Sequence, residues 1–175
     1  MSERGLILIN TGPGKGKTTA ALGTAIRALG QGYKVAFLQF IKNQETGESL
    51  MLKEYGDNHP GRLYYNRLGL GLFRGEPSEA DKAKAAEALK AARGLLAGDY
   101  DLVVLDEICV AVSNGLISVE DAMELIKAKP LAMNLIMTGR GCPQEIIDLA
   151  DTVTEMTVIK HAYQKGIPAR RGIEF

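Results

Sequence analysis

The chain has 175 residues, of which 46% are hydrophobic, and its 21 Lys and Arg residues are balanced by 21 Asp and Glu residues. This length predicts one domain over residues 1–175, and a formal net charge of zero gives no whole-molecule argument for nucleic acid or an acidic membrane as a partner. Two cysteines and two histidines are a poor supply of zinc ligands, so we do not expect a structural zinc site. No apolar run approaches the roughly 20 residues that cross a bilayer, so we expect a cytoplasmic protein.

Short β-branched runs alternate with helical patterns along the chain. The first helical pattern covers residues 18–29, Ser78 and Asp81 resemble a capping box, and Ser118 with Asp121 repeats that signal. Pro143 suits the first turn of a short helix that ends near Ala150. The predicted strands are 6–9, 35–40, 102–106, 135–138 and 153–157, with 63–65 a weaker candidate. Continuous apolar strands separated by helices favour an α/β fold with a mostly parallel central sheet.

A glycine-rich segment, TGPGKGKT at residues 11–18, follows the first predicted strand and opens the first predicted helix. This is the context of a P-loop, in which backbone N–H groups and a helix N-terminus face a phosphate. Lys17 is expected to reach phosphate oxygens, and the Thr18 hydroxyl to ligate Mg²⁺. The pattern GxxxxGK[ST] calls for glycine where Thr11 stands, and Gly12 and Gly14 are expected to supply that flexibility. A glycine-rich turn with chance lysines is the alternative, which the order strand, loop, helix disfavours.

A second apolar strand, DLVVLDE at residues 101–107, ends in two adjacent carboxylates. The pattern resembles a Walker B element, and the carboxyl end of a parallel strand lies beside the phosphate loop in open α/β sheets. Asp106 or Glu107 would hold Mg²⁺ directly or through water. The sequence leaves open which one does so, and whether one of them merely caps the next segment.

Two cations also follow predicted strands. Lys42 comes after residues 35–40, and Arg140 stands between glycines after residues 135–138. Either residue alone is more often a solvated surface cation. Their placement at the carboxyl ends of strands favours a role beside a triphosphate, for which the planar donors of Arg140 are suited.

Several segments together resemble one family, the P-loop ATP:corrinoid adenosyltransferases (cob(I)yrinic acid a,c-diamide adenosyltransferases). They are TGPGKGKTTAALGTAIRALG, VAFLQFIK, VVLDE, TGRG followed by ADTVTEM, and a tail with KHA and GIE. A P-loop alone is shared by many NTPases, whereas this combination is specific. The resemblance covers nearly the whole chain and is weakest in residues 49–100.

The resemblance implies a RecA-like, three-layer P-loop NTPase fold and a cytoplasmic homodimer. It implies ATP, Mg²⁺ or Mn²⁺, and a corrinoid in the Co(I) state, and a flavoprotein reductant is considered as electron donor. Asp106 and Glu107 match the metal and nucleotide region, Arg140 matches the triphosphate region, and Arg27 and Lys42 are weaker matches. The residues matched to ATP binding are Gly12, Pro13, Gly14, Lys15, Gly16, Lys17, Thr18 and Thr19.

The glycine-rich segment 66–77 contains Phe73, which fits the aromatic residues that shield the lower face of the corrin in some relatives. Gly71 stands where another bulky group would be expected, which leaves that shielding open. Packing of Leu70, Leu72 and Phe73 onto the core or a dimer interface is the alternative.

The reaction implied is the attack of Co(I) on the ribose 5′-carbon of ATP, with triphosphate as the leaving group. Such a reaction needs placement and positive charge rather than a general base, which suits Lys17 and Arg140 as the catalytic residues. The alternatives are a P-loop ATPase or kinase acting at the γ-phosphate, a non-catalytic corrinoid or nucleotide carrier, and a RecA-like nucleic-acid motor.

Overall fold

The computed structural model describes residues 4–71 and 75–175 and contains one six-stranded sheet between two layers of helices. The strands are β1 (Ile7–Thr11), β2 (Val35–Gln39), β3 (Leu63–Arg67), β4 (Leu102–Asp106), β5 (Asn134–Thr138) and β6 (Thr152–Glu155). The helices are α1 (Lys17–Gly30), α2 (Gly47–Asn58), α3 (Glu79–Leu96), α4 (Ile108–Ser113), α5 (Val119–Ala128) and α6 (Gln144–Ile147), and a 3₁₀ turn spans Ala162–Lys165.

The strand order is β3-β2-β4-β5-β1-β6, and every neighbouring pair is parallel. The predicted α/β architecture is therefore confirmed, including the weaker strand candidate, which is β3. Parallel pairing places the carboxyl ends of β1, β2, β4 and β5 at one edge of the sheet, where ligands bind in open α/β folds.

Successive side chains of the buried strands alternate between the two faces of the sheet, and each face is covered by a layer of helices. On β2, Val35 and Phe37 pack into the core beneath α1 and α2, whereas Ala36 and Leu38 pack into the core beneath α3, α4 and α5. All five residues of β2 and all five of β4 are buried, as expected for strands covered on both faces.

The capping signals were correct at both predicted sites. The Ser78 hydroxyl accepts a hydrogen bond from the Asp81 N–H at the start of α3, and Ser118 accepts from the Asp121 N–H at the start of α5. Pro143 stands just before α6, which ends at Ile147 rather than near Ala150.

Two helices were not predicted from the sequence. Helix α2 is weakly amphipathic and buries only Ser49 and Leu52 among its described residues, so it lacks a long apolar stripe. Helix α4 has the sequence ICVAVS and is separated from β4 by one residue, and its β-branched residues favour a strand rather than a helix.

Candidate functional site

The glycine-rich loop between β1 and α1 is supported from one side by the chain that follows β6. The N–H of Gly14 donates to the carbonyl oxygen of Met156 at 2.6 Å. A Cβ atom added to Gly12 or Gly14 would lie 2.6 Å from that same oxygen. Gly12 also has a φ of 91° and Gly16 a φ of 114°, a region that favours glycine. The glycines therefore serve both the curvature of the loop and its close contact with residue 156.

Lys17, the first residue of α1, folds back over this loop. Its Nζ donates to the carbonyl oxygens of Gly12 at 2.7 Å and Gly14 at 2.5 Å. Burial lowers the pKa of Lys17, and the nearby Arg140 guanidinium lowers it further, against the opposing effect of Glu107 and Asp106. A polyphosphate in the loop would offer this ammonium group stronger, charged acceptors than the two carbonyls.

Asp106, the last residue of β4, is fully buried and fully hydrogen-bonded. Its Oδ1 accepts from the Thr18 hydroxyl at 2.9 Å and the Thr138 hydroxyl at 2.7 Å. Its Oδ2 accepts from Nε2 of Gln39 at 2.9 Å, and Nζ of Lys42 lies 3.9 Å from it. Residues from the ends of β2, β4 and β5 and from the start of α1 thus meet at one carboxylate.

Glu107 adopts an unusual backbone conformation directly after this strand. Its φ of 65° is the only positive φ of a non-glycine residue among residues 4–71 and 75–175, and its N–H donates to the Thr138 hydroxyl at 2.9 Å. Its Oε2 is buried and has no hydrogen-bond partner among the described residues. A strained backbone that presents an unsatisfied carboxylate is typical of a functional site.

The pKa of Glu107 is raised to about 7, chiefly by burial and secondly by the Asp106 carboxylate, although Lys42, Lys17 and Arg140 act in the opposite direction. The folded protein therefore binds a proton at Glu107 more tightly than the unfolded chain does. Between pH 4.5 and 7 the free energy of unfolding should fall as pH rises, on the order of 2 kcal/mol in total.

Urea unfolding from pH 4.5 to 8 measures this dependence. The Glu107→Gln variant should lose this part of the slope, since an amide does not titrate, and should be more stable than the original protein above pH 7. An identical slope in both proteins would show that Glu107 does not carry the effect.

The donor set fits a magnesium ion of the P-loop kind. No group of three or more His, Cys, Asp or Glu side chains able to hold a metal occurs within residues 4–71 and 75–175. A divalent ion here would combine the Thr18 hydroxyl and Asp106 or Glu107 with nucleotide oxygens and water, which Mg²⁺ accepts in preference to an all-protein cage. The unsatisfied Oε2 of Glu107 is available for such a ligand or for its water.

The predicted cations lie at this edge of the sheet. Nζ of Lys42 is 3.2 Å from Oε1 of Glu48, at the start of α2, and its side chain is 27% exposed. Arg140 is exposed and stands between Gly139, with a φ of 141°, and Gly141, with a φ of 66°. A Cβ on Gly139 would lie 2.7 Å from the backbone nitrogen of Val110, so glycine lets the Arg140 loop pack closely on α4.

The other residues of the predicted set differ in their placement. Gly16 and Thr19 lie at the start of α1, and Pro13 is exposed at the tip of the loop. The Lys15 ammonium contacts the C-terminal segment, donating to the Ile173 carbonyl at 2.6 Å and pairing with Glu174 at 2.8 Å.

Arg27 is not brought to the site within one chain. It lies in the last turn of α1, about 15 Å along the helix axis from Lys17 at 1.5 Å per residue. The resemblance suggested Arg27 from the sequence alone, and the structure places this residue at the opposite end of α1 from the loop.

Phe73 and Leu72 lie outside the described residues, but the segment that leads to them is held beside Lys42. The N–H of Gly71 donates to the Ile41 carbonyl at 2.8 Å, and Asn43 donates to the Leu70 carbonyl. A Cβ on Gly69 would lie 2.0 Å from the oxygen of Ile41. Gly71 has a φ of 99°, and a Cβ there would meet the Asn43 side chain at 2.9 Å. A bulky residue at position 71 would not fit this packing.

Sequence reasoning missed Gln39 and Thr138 as site residues. Both are fully buried polar side chains that directly follow apolar residues at the carboxyl ends of their strands, VAFLQ and NLIMT. A polar residue at the carboxyl end of such a strand is itself a signal, because burying it requires a hydrogen-bond partner.

Comparisons with known proteins agree with the resemblance seen in the sequence. The family model described as ATP:corrinoid adenosyltransferase BtuR/CobO/CobP matches residues 3–175. The corrinoid adenosyltransferase of Pseudomonas aeruginosa is 41% identical, over 99% of this chain and 85% of that protein. The corrinoid adenosyltransferase of Escherichia coli K12 is 38% identical, over 99% of this chain and 87% of that protein.

Solved structures confirm the fold class at low sequence identity. The flagellar accessory protein FlaH of Methanocaldococcus jannaschii has a TM-score of 0.58 and 17% identity, covering 87% of this chain and 71% of that one. The KaiC-like protein PH0186 of Pyrococcus horikoshii has a TM-score of 0.54 and 18% identity, covering 90% and 75%. Within residues 4–71 and 75–175, no helix combines the length and the hydrophobicity of a membrane span.

Proposed function

The chain belongs to the family of ATP:corrinoid adenosyltransferases, and from this premise we propose that it transfers the 5′-deoxyadenosyl group of ATP to the Co(I) centre of a corrinoid. The corrinoid would be cobalamin, cobinamide or cobyrinic acid a,c-diamide, in the biosynthesis or salvage of adenosylcobalamin. The family match over residues 3–175 is the observation that carries the proposal, and the geometry of the loop and its charged neighbours supports it.

The proposed reaction is a substitution at a saturated carbon. The Co(I) electron pair forms a bond to C5′, the C5′–O5′ bond breaks, and triphosphate leaves with the electrons of that bond. No proton has to move for this step. The protein is therefore required to hold cobalt and carbon in line and to stabilise negative charge on the leaving group.

In the proposed mechanism, the negative charge on the leaving triphosphate is stabilised by the loop amides, Lys17 and Arg140. Lys17 exchanges the Gly12 and Gly14 carbonyls for phosphate oxygens, and Arg140 reaches the triphosphate from the opposite loop. Lys42, 3.9 Å from the Asp106 carboxylate, adds charge beside the metal ligands. Bound Mg²⁺ or Mn²⁺, held by Thr18 and Asp106 or Glu107, would neutralise further charge on the phosphates.

The orientation of ATP distinguishes this reaction from that of an ordinary NTPase. We place the distal phosphates in the loop, which leaves the 5′-carbon open to the corrinoid, whereas an NTPase exposes the γ-phosphate to water. The structure of a nucleotide complex tests this orientation, since an α-phosphate seated on Lys17 would contradict it.

The corrinoid is proposed to approach from the side of residues 66–77. Segment 68–71 is held against the chain that follows β2, beside Lys42, and Leu70 is 46% exposed there. Phe73 would then shield the lower face of the corrin, which favours reduction of Co(II) by excluding an axial ligand. A homodimer, a cytoplasmic location and a flavoprotein electron donor belong to the same proposal, on the strength of the family alone.

Product analysis tests the proposed activity. Purified protein is mixed with ATP, Mg²⁺ and chemically reduced cobalamin, and we expect a light-sensitive cobalt–carbon product together with an equal amount of triphosphate. Phosphorus NMR separates triphosphate from ADP and phosphate. Formation of ADP without alkylated cobalt would instead indicate an ATPase or kinase, and stoichiometric binding without turnover would indicate a carrier.

A further inference from the structure

A chain of hydrogen bonds joins the buried Asp106 carboxylate to an edge strand of the sheet. The Tyr65 hydroxyl, on β3, donates to Oε1 of Gln39 at 2.8 Å, and Nε2 of Gln39 donates to Oδ2 of Asp106 at 2.9 Å. Gln39 and Asp106 are fully buried. Neither Tyr65 nor Gln39 belongs to the set that the P-loop and Walker B patterns identify.

The polarity of this chain is fixed by the chemistry of its members. An ionised carboxylate only accepts hydrogen bonds, so the amide of Gln39 must direct its NH₂ group to Asp106 and its oxygen to Tyr65. The Tyr65 hydroxyl must then be the donor. Burial raises the pKa of Tyr65 to about 12, so this donor keeps its proton at neutral pH.

Packing holds Tyr65 in place. Its ring lies 6.4 Å from the ring of Phe37, with an angle of 52° between the planes. The register between β2 and β3 also pairs Phe37 with Tyr65. The hydroxyl therefore approaches Gln39 from a strand and a ring that are themselves fixed, rather than from a mobile loop.

The hydrogen bond from Gln39 fixes one oxygen of Asp106, and the other oxygen lies on the side of the P-loop threonine, Thr18. Oδ2 is held by Gln39, and Oδ1 faces the Thr18 and Thr138 hydroxyls. Without the Gln39 donor, Oδ2 would lose its one hydrogen bond and keep only the more distant Lys42 ammonium at 3.9 Å, so the carboxylate would be held on one side by the two hydroxyls. Outer hydrogen bonds of this kind commonly fix the orientation of a metal-binding side chain.

We propose that Tyr65 and Gln39 are positioning residues that act as one unit to orient the Asp106 carboxylate for the metal–nucleotide complex. The inference rests on the proposed function, because it requires Asp106 to lie at the bound metal. It adds two residues to the proposed site, and one of them, Tyr65, lies on β3, which leads into the 68–71 segment.

Binding of Mn²⁺ tests the inference without the corrinoid reaction. Free Mn²⁺ is measured by electron paramagnetic resonance as it is titrated into intact protein with a non-transferable ATP analogue. The variants are Tyr65→Phe, which removes one oxygen atom, Gln39→Met, which keeps the length of the side chain, and the two combined. Tyr64→Phe is the matched control, since Tyr64 is the neighbour on β3 and its hydroxyl contacts Asn66 instead.

We expect Gln39→Met to weaken Mn²⁺ binding by about 10–100-fold, the usual loss when a hydrogen-bond partner of a metal ligand is removed. Tyr65→Phe should weaken it less, by about 3–10-fold, because Tyr65 reaches Asp106 only through Gln39. The double variant should bind no more weakly than Gln39→Met alone, since both changes break the same chain. Tyr64→Phe should keep the original affinity, and nucleotide binding without metal should be unchanged in Tyr65→Phe.

The inference is overturned if Tyr65→Phe lowers the melting temperature but binds Mn²⁺ as tightly as the original protein, because the hydrogen bond would then be structural alone. Should Gln39→Met fail to fold, Tyr65→Phe decides the question. If the original protein binds no Mn²⁺ with the nucleotide, the metal part of the proposed function fails, and the positioning role fails with it.

Discussion

Replacing Lys17 with Ala is expected to lower kcat/KM for ATP by about 10²–10³-fold, the usual loss when one preorganised donor to a developing anion is removed. Lys17 is partly buried, and its ammonium group contacts two loop carbonyls that a phosphate would replace. The charge is most valuable when triphosphate departs, so kcat should fall more than the affinity for ATP.

Lys15→Ala is the comparison for this variant. Lys15 stands two residues away in the same loop, but its ammonium group pairs with Glu174 and the Ile173 carbonyl. Its removal should cost less than tenfold in kcat/KM. Steady-state rates with pre-reduced cobalamin measure both variants, and equal losses would contradict the assignment of the phosphate contact to Lys17.

Asp106→Asn is expected to lower metal-dependent turnover by about 10²–10³-fold and to destabilise the fold by about 1–3 kcal/mol. The native carboxylate accepts hydrogen bonds on both oxygens. The amide that replaces the carboxylate can place its NH₂ group in one of two ways. In the first it faces the Nε2 donor of Gln39 and the ammonium group of Lys42, and in the second it faces the Thr18 and Thr138 hydroxyls, which would have to rotate and accept instead of donate. The first arrangement sets donor against donor, and both lose the negative charge that attracts the metal.

Asp101→Asn provides a carboxylate control just before the same strand. Asp101 is exposed and accepts a hydrogen bond from the Lys34 N–H at 2.8 Å, far from the phosphate loop. It should keep the original turnover. Rates measured against Mg²⁺ concentration, together with urea unfolding, separate the catalytic from the structural loss, and an unchanged Mg²⁺ dependence in Asp106→Asn would contradict a role at the metal.

Most of the fold was predictable because its signals are local. The central strands β2 and β4 are largely apolar runs, and the P-loop has a fixed spacing. Ser78 and Ser118 mark the starts of their helices, each three residues before an Asp. Helix α2 escaped prediction because it buries few residues. Helix α4 escaped because its β-branched composition suits a strand, whereas the turn at Glu107 interrupts the strand pattern.

The site was predictable in its charged members and in Thr18, which belongs to the P-loop pattern, but not in its other neutral members. The carboxyl ends of the parallel strands bring six of the predicted residues to one edge of the sheet. They are Lys17, Thr18, Asp106, Glu107, Lys42 and Arg140. Gln39, Tyr65 and Thr138 depend on contacts between strands far apart in sequence, which composition and spacing do not encode. The support of the glycine loop by Met156 is of the same kind.

The position of β1 in the sheet has a consequence for protein synthesis. Its neighbours are β5 and β6, with Ile7 beside Leu135 and Ile9 beside Val153, so the strand that carries the P-loop leaves the ribosome long before its partners. At about 5–20 residues per second that delay is on the order of 10 s. We therefore expect β2, β3 and β4 to associate first during translation and the nucleotide site to be assembled last. Nascent chains released before β6 would carry the P-loop sequence without the ability to bind nucleotide.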